Sequence, residues 1–439
     1  MKQKYLYLRT FGCQMNVHDS EQIMELLKGS GYETTKDAKK ADLVIINTCS
    51  IREKAEHKAH SELGRFKELK LKKPDLIIGI GGCLAQQLGP KFLRKAPHLD
   101  LVFGTHNIHR LPEMIRDIEN TRSRVVKTSF HESVQSLGIL ALPRNGSVSA
   151  YVTVMHGCDN FCAYCVVPFL RGREESRKPQ DIINEIAILA DHGVKEVTLL
   201  GQNVNSYGKT MSGCHDFSTL LKEVGRVEGI ERIRFTTSHP KDISENIIGC
   251  FAEVDKLCEH IHLPVQSGSN DVLKRMNRHY TREDYLSRVT RLREVCPGIS
   301  ITSDIIVGFP GETEKDFQET VDLMEEIRFD GVFSFKYSER EGTAAINFNN
   351  KVDEDVKNRR LQTIQSLQET HSLEKNRVLE GGIGEVLVEG VSKNCRDDVM
   401  GRTRSNKIIN FEAKDNIIGK TVSVNIIKAY LHSLRGGLI

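Results

Sequence analysis

The sequence predicts an α/β protein in three parts: an N-terminal doubly wound parallel-sheet domain, a central partial (β/α)6 barrel and a small C-terminal β-barrel. Three observations carry this. Near the N-terminus, continuous aliphatic and β-branched runs alternate with amphipathic helical stretches, as strands buried on both faces require. From Tyr151 to Phe335 six further runs follow at β/α spacing. Beyond Leu379 the pattern becomes short alternating runs broken by Gly and Asn, which suits a small barrel.

The length of 439 residues allows several domains and excludes a single small binding module. Hydrophobic residues at 39% and charged residues at 28% exclude disorder over most of the chain. Lys and Arg number 62 against 59 Asp and Glu, a net charge of +3, so RNA binding has to rest on a local patch. The 11 cysteines fall far below disulfide-scaffold density. No signal-peptide core follows Met1, and the longest uncharged apolar run, Leu76 to Ala85, is about half a membrane span. The expectation is a cytoplasmic protein with no membrane partner, whose clustered cysteines bind metal or do chemistry.

The first domain is expected over residues 1–125, with strands at Tyr5 to Leu8, Leu43 to Ile46 and Leu76 to Ile80. A helix runs from about Ser20 to Leu27, with Ser20 as N-cap and Gly31 as stop. Pro143-Arg144-Asn145-Gly146 marks a boundary. A second domain over 144–375 carries strands at Tyr151 to Met155, Val197 to Leu200, Ile233 to Thr236, Ile261 to Leu263, Ile299 to Val307 and Gly331 to Phe335. A charged helix near Glu354 to Leu379 leads to a third domain, 377–439, with runs at Gly384 to Gly390, Lys407 to Phe411 and Thr421 to Ile427.

Cys158, Cys162 and Cys165 form Cys-x3-Cys-x2-Cys directly after the first strand of the second domain. Three thiolates satisfy three irons of a cubane and leave the fourth open for a ligand. A zinc site borrowing His156, or a disulfide, are the competing readings. Cys13, Cys49 and Cys83 lie far apart in sequence, yet each follows a strand candidate. Carboxyl ends of parallel strands share one edge, so these three suit a second thiolate set, with buried structural cysteines as the alternative. Gly12, Gly81 and Gly82 would let the backbone approach a bulky inorganic group.

The Cys158 motif and six-step barrel resemble the radical S-adenosylmethionine (SAM) superfamily. With the Cys13 set and the terminal barrel, similar to a TRAM domain, the whole chain resembles the methylthiotransferase family. Asn47-Thr48-Cys49-Ser50-Ile51-Arg52-Glu53, Gly201-Gln202-Asn203-Val204-Asn205-Ser206-Tyr207-Gly208, His262-Leu263-Pro264-Val265-Gln266-Ser267-Gly268-Ser269 and Gly401-Arg402-Thr403-Arg404-Ser405-Asn406-Lys407 look like its MiaB branch. The resemblance implies an enzyme with two [4Fe-4S] clusters and SAM, which methylthiolates C2 of N6-isopentenyladenosine beside the tRNA anticodon. It also implies an electron donor of the flavodoxin kind and a sulfur or cluster carrier. Sister branches act on threonylcarbamoyladenosine in tRNA or on a ribosomal-protein aspartate. A different class of reading is a metal-stabilised RNA-binding protein without catalysis.

By the same resemblance, Tyr164 packs by the adenine of SAM. Polar residues at the barrel rim have the reach to hold SAM or substrate: Gln202 and Asn203, Ser238 and His239, Gln266 and Ser267, and Asp304, with helix capping as the alternative. Arg278 suits a carboxylate. Arg402, Arg404 and Lys407 are candidates for phosphate contact, a solvated loop being the alternative. Gly308-Phe309-Pro310-Gly311-Glu312 is a tight loop without the Lys-Ser/Thr of a phosphate loop. Cys214, Cys250, Cys258, Cys296 and Cys395 are expected to be structural or incidental.

Overall fold

The computed structural model describes the chain apart from residues 1–2, 51–52, 131–138, 142–145, 212, 214, 394 and 396. Cys214 and most of the boundary motif at 143–146 therefore lie outside the described residues. By internal contacts the chain forms two compact units. The first is Met1–Pro143 with Met155–Asp159 and Val166–Arg177, and the second is the remainder.

The first unit runs β1 (Lys4–Phe11), α1 (Gln14–Lys28), β2 (Tyr32–Thr34), β3 (Leu43–Thr48), α2 (Glu53–Lys72), β4 (Ile77–Gly82), α3 (Cys83–Leu88), α4 (Pro90–Lys95), β5 (Leu101–Phe103), α5 (Leu111–Thr121) and β6 (Val125–Lys127). The six strands form one parallel sheet in the order β2-β1-β3-β4-β5-β6. Successive residues of β3 feed opposite cores. Val44 and Ile46 pack with Leu63 and Phe66 of α2, while Leu43 and Ile45 pack with Ile23 and Leu27 of α1. A strand buried on both faces has no polar alternation, which is why the aliphatic runs were legible. Three-residue β2, β5 and β6 carry too little pattern to be read.

Ser20 is not the N-cap. The helix begins at Gln14 because Cys13 takes the extended capping conformation. Ser20 instead lies buried, its hydroxyl 2.7 Å from Thr10 Oγ1 and accepting from Asn47 Nδ2 at 2.9 Å. Two short segments complete this unit: β8 (Met155–His156) pairs antiparallel with β9 (Glu175–Ser176), and α6 (Val167–Arg171) lies between them in sequence.

In the second unit, β7 (Ser149–Thr153), β10 (Glu196–Leu200) and β11 (Arg232–Phe235) form one parallel sheet, and β12 (His260–His262), β13 (Ser300–Val307) and β14 (Gly331–Lys336) another. A parallel bridge from Ile233 to Leu257 links them into the six-step partial barrel. Helices α7 (Pro179–Asp191), α8 (Phe217–Gly225), α9 (Glu245–Glu253), α10 (Asn270–Arg275), α11 (Arg282–Val295), α12 (Glu314–Ile327) and α13 (Glu354–Arg377) accompany the strands. The charged stretch then gives way to a closed barrel in the order β15-β16-β17-β19-β18: β15 (Ile383–Val391), β16 (Asp398–Thr403), β17 (Ile408–Glu412), β18 (Thr421–Ala429) and β19 (Leu434–Leu438). No helix among the described residues is long and apolar enough to cross a membrane.

The terminal barrel is locked to the amino ends of the central strands by buried charge. Arg232, 1% exposed, donates to Arg402 O at 2.7 Å and to Glu385 Oε1 at 2.9 Å. Arg234 donates to Glu196 at 2.9 Å, Thr403 O at 2.8 Å and Arg404 O at 2.9 Å. In return, Arg404 binds Glu259 and the carbonyls of Asp255 and Leu257. Removing one partner strands the other in low dielectric. Arg234→Met should therefore cost about 3–5 kcal/mol and lower the thermal midpoint followed by far-ultraviolet circular dichroism. Lys222→Ala, which breaks an exposed pair with Glu253, should leave that midpoint essentially unchanged.

Candidate functional site

The first unit brings Cys13, Cys49 and Cys83 to the carboxyl ends of three adjacent strands, β1, β3 and β4. Neighbouring strands stand about 4.8 Å apart. The strand order also reverses between β1 and β3, where open parallel sheets bind ligands. A polar network fixes this edge: Asn47 Nδ2 donates to Asn16 O at 2.8 Å, and Thr48 Oγ1 to Gly81 O at 2.9 Å. Cys49 N donates to Phe11 O at 2.9 Å, holding two of the cysteine loops together.

Two of the glycines at this edge have a packing reason of their own. A Cβ at Gly81 would strike the Phe103 ring, and one at Gly82, where φ is +87°, would strike Asn47 and Thr48. These two glycines let β4 pack against its neighbours. Gly12 alone faces the cysteines, since a Cβ there would fall 2.6 Å from Cys49 Cβ.

Chemistry differs among the three thiols. A hydrogen bond with Cys49, helped by the Arg171 guanidinium, pulls Cys13 down to about 6 against the opposing effect of burial. Burial pushes Cys83 up, with Arg171 opposing it. Among the described residues, no three His, Cys, Asp or Glu side chains are already gathered as a metal site. The fit to an iron–sulfur cluster lies in the all-thiol donor set and its place at one sheet edge.

Cys158 belongs to the first unit, where its N–H donates to Gly172 O at 3.2 Å. Gly157, at φ +77°, lies so close to Arg173 O that no side chain fits. Cys162 and Cys165 belong to the second unit and are joined by a turn, Cys165 N to Cys162 O at 2.9 Å. Their loop rests on an apolar seat in which Ala163 packs with Met276, Phe309 and Tyr337. Asn277 clamps it from the side, donating to Phe161 O at 3.1 Å. Phe161, Thr237, Gln266, Asn277 and His279 all take positive φ. Such backbone persists where the surroundings over-determine it, and it concentrates at ligand sites.

Arg278 is buried between this loop and the strand ends. It donates to Cys162 Sγ at 3.4 Å, to Tyr164 OH at 3.4 Å, to Tyr280 OH at 3.0 Å and to Pro264 O at 2.7 Å. Four of its five N–H donors thus serve the thiol, the loop and its surroundings. His239 Nε2 lies 4.0 Å from Cys162 Sγ. Burial, with Arg278 beside it, holds His239 neutral, far below the ordinary imidazole value.

The other rim residues divide by what they touch. Asn203 links Asp242, at 2.7 Å, to the backbone N–H of His239, at 3.1 Å, and so supports the loop. Ser267 accepts from Ser269 N at 3.2 Å and faces Thr320, and it is Ser269 that caps α10. Gln202 is half-buried at the end of β10. Gln266, at φ +75°, pairs its backbone with Asp304 O and Ile306 N. Asp304 lies 3.5 Å from His262, whose ring meets the exposed Phe333 edge to face. Ser238 Oγ and both side-chain polar atoms of Asn205 are buried without hydrogen-bond partners, a demand that a polar ligand would meet. Asn205 was not singled out in the sequence, although it lies in the quoted Gly201–Gly208 stretch.

Arg402, Arg404 and Lys407 are each engaged by protein. Arg402 pairs with Glu389 at 3.1 Å, Arg404 with Glu259 at 2.7 Å and Lys407 with Asp330 at 3.2 Å. Lys393, Lys414, Lys420 and Lys428 are exposed on the terminal barrel. Burial pushes Cys250 and Cys258 up to about 11 and raises Cys296, as inert thiols require. Cys395 is exposed.

Three family models match in chain order: Uncharacterized protein family UPF0004 over residues 5–104, Radical SAM superfamily over 152–324 and TRAM domain over 377–439. The chain is 61% identical over 439 residues to a tRNA-2-methylthio-N(6)-dimethylallyladenosine synthase of Syntrophus aciditrophicus, covering 100% of this chain and 95% of that one. It is 53% identical over 438 residues to the protein of that name from Geotalea uraniireducens, covering 100% and 99%. Among solved structures it is similar in fold to the radical S-adenosylmethionine methyltransferase TsrM of Kitasatospora setae. There the TM-score is 0.60 at 16% identity, over 79% of this chain and 74% of that one.

The thiol environments make a pH prediction for the iron-free chain. Because Cys13 is lowered to about 6, its alkylation by iodoacetamide should rise as pH passes through that value and level off near neutrality. Cys250 and Cys258, at about 11, should stay unmodified below pH 9, as read by peptide mass spectrometry. Equal labelling of all three at pH 7 would contradict the assigned environments.

Proposed function

This chain belongs to the family of tRNA-2-methylthio-N(6)-dimethylallyladenosine synthases, and on that premise we propose that it methylthiolates C2 of N6-isopentenyladenosine beside the tRNA anticodon. The observation that carries the reading is a pair of three-cysteine sets, one at the ends of β1, β3 and β4 and one on the loop that follows β8, on a chain similar throughout its length to those synthases. Radical SAM membership brings one [4Fe-4S] cluster and SAM. We assign that cluster to Cys158, Cys162 and Cys165, and a second [4Fe-4S] cluster to Cys13, Cys49 and Cys83. When bound, these groups supply a hydrogen-abstracting radical, a transferable sulfur and a methyl group.

The chain's own residues hold and bias them. Arg278 places a buried cation on Cys162, offsetting thiolate charge and orienting Tyr164. His239, neutral beside the same sulfur, adds no second cation. Ser238, Asn205 and Gln202 offer polar groups to SAM at the ends of β10 and β11. Asp304 with His262 and Phe333 offers a polar and an aromatic face to an adenine. The exposed TRAM lysines take the tRNA backbone. Turnover also takes a flavodoxin-like electron donor and a carrier that restores sulfur, in the cytoplasm where tRNA resides.

Isopentenylated tRNA incubated anaerobically with reconstituted protein, SAM and reductant should yield a nucleoside heavier by one methylthio group. Cys162→Ala should abolish 5'-deoxyadenosine formation. Cys13→Ala should keep that formation and lose thiolation. Thiolation by Cys13→Ala would refute the donor assignment, and a mass gain on ribosomal protein instead of tRNA would refute the substrate.

A further inference from the structure

Arg171 is fully buried in the first unit, and no step above uses it. It lies at the end of α6, a segment docked through its backbone. Thr105 Oγ1 donates to Leu170 O at 2.9 Å, and His106 Nε2 meets Arg171 O at 3.0 Å, both from buried side chains. Cys83 packs directly against Val166 and Leu170 of this segment. The guanidinium is aimed by two buried partners. Nη2 donates to Asp19 Oδ2 at 2.6 Å, and Nη1 meets His156 Nε2 at 3.2 Å. Asp19 projects from α1, the helix that Cys13 caps. A surface cation would be screened by water, but this pair is under one-tenth exposed on both sides, so its field is screened less than a surface charge's would be.

We infer that Arg171 and Asp19 form an opposed-charge positioning pair that sets the reduction potential of the group held by Cys13, Cys49 and Cys83. The inference rests on the assignment of a cluster to those cysteines. Reduction adds an electron to the cluster, which a nearby cation favours and a nearby anion disfavours. Net charge and hydrogen bonds to sulfur are the levers that tune such potentials. Arg171 supplies the first, from a segment whose Val166 and Leu170 pack against Cys83. His156 accepts from Arg171 and so holds the guanidinium plane in place.

The test uses the full-length Cys158→Ala/Cys162→Ala/Cys165→Ala protein, reconstituted with iron and sulfide, so that only the N-terminal group is read. A redox titration followed by electron paramagnetic resonance should place Arg171→Gln below this parent and Asp19→Asn above it. Arg171→Lys should stay near the parent, and the double variant should return towards it. A merely structural pair would not produce shifts of opposite sign. Intact iron with no shift, or shifts of the same sign, overturns the inference. A parent that binds no iron overturns the cluster assignment beneath it. Should Arg171→Gln lose its iron, the upward shift of Asp19→Asn decides alone.

Discussion

Parallel pairing puts the carboxyl end of every strand on one edge of its sheet, and the set of Cys13, Cys49 and Cys83 depends on that constraint. In the first unit the register of β1, β3 and β4 is fixed by strands buried on both faces. A slip of one residue would turn Val44 and Ile46 into the space of Leu43 and Ile45 and carry the cysteine loops out of alignment. Core packing thus fixes the separation of three thiols that are distant in sequence. In the second unit the same geometry brings the ends of β10, β11, β12 and β13 to one rim, where the positive-φ residues and the orphaned polar atoms of Ser238 and Asn205 collect.

The opposite end of the partial barrel obeys a different requirement. Arg232 and Arg234 lie near the start of β11, where inward-facing charge would be intolerable without partners. The turn from β16 to β17 supplies the carbonyls of Arg402, Thr403 and Arg404 as acceptors, while the Arg404 side chain reaches back to Glu259. The TRAM barrel is therefore part of the central barrel's charge balance. A stretch that reads as a basic patch is, in three dimensions, a plug.

This contrast shows what was legible in the sequence. Strands rich in aliphatic residues announce themselves, so β3, β10 and β13 were read to within a residue or two, and with β3 the position of Cys49 after it. Strands β2, β5 and β6 were invisible at three residues each. Ser20 was misread as a cap because serine at a helix start is the common pattern, whereas here Cys13 performs that role and Ser20 joins a buried network. Arg402, Arg404 and Lys407 could not be told from phosphate ligands, since their partners Glu389, Glu259 and Asp330 include two from distant strand ends. Arg278 was found, but its contact with Cys162 depends on a loop closure more than a hundred residues long. Arg171 carried no signal, because nothing in its local sequence reveals that it docks beside Asp19.

The central claim is that the chain builds two independent thiolate sites, one at strand ends and one on a loop, and iron stoichiometry tests it most directly. Anaerobically reconstituted protein should hold about eight irons with matching sulfide, at four per cubane. Cys13→Ala/Cys49→Ala/Cys83→Ala and Cys158→Ala/Cys162→Ala/Cys165→Ala should each retain about half of that, with distinct Mössbauer signatures. Full iron content in either triple variant, or loss of all iron in one of them, would contradict the account.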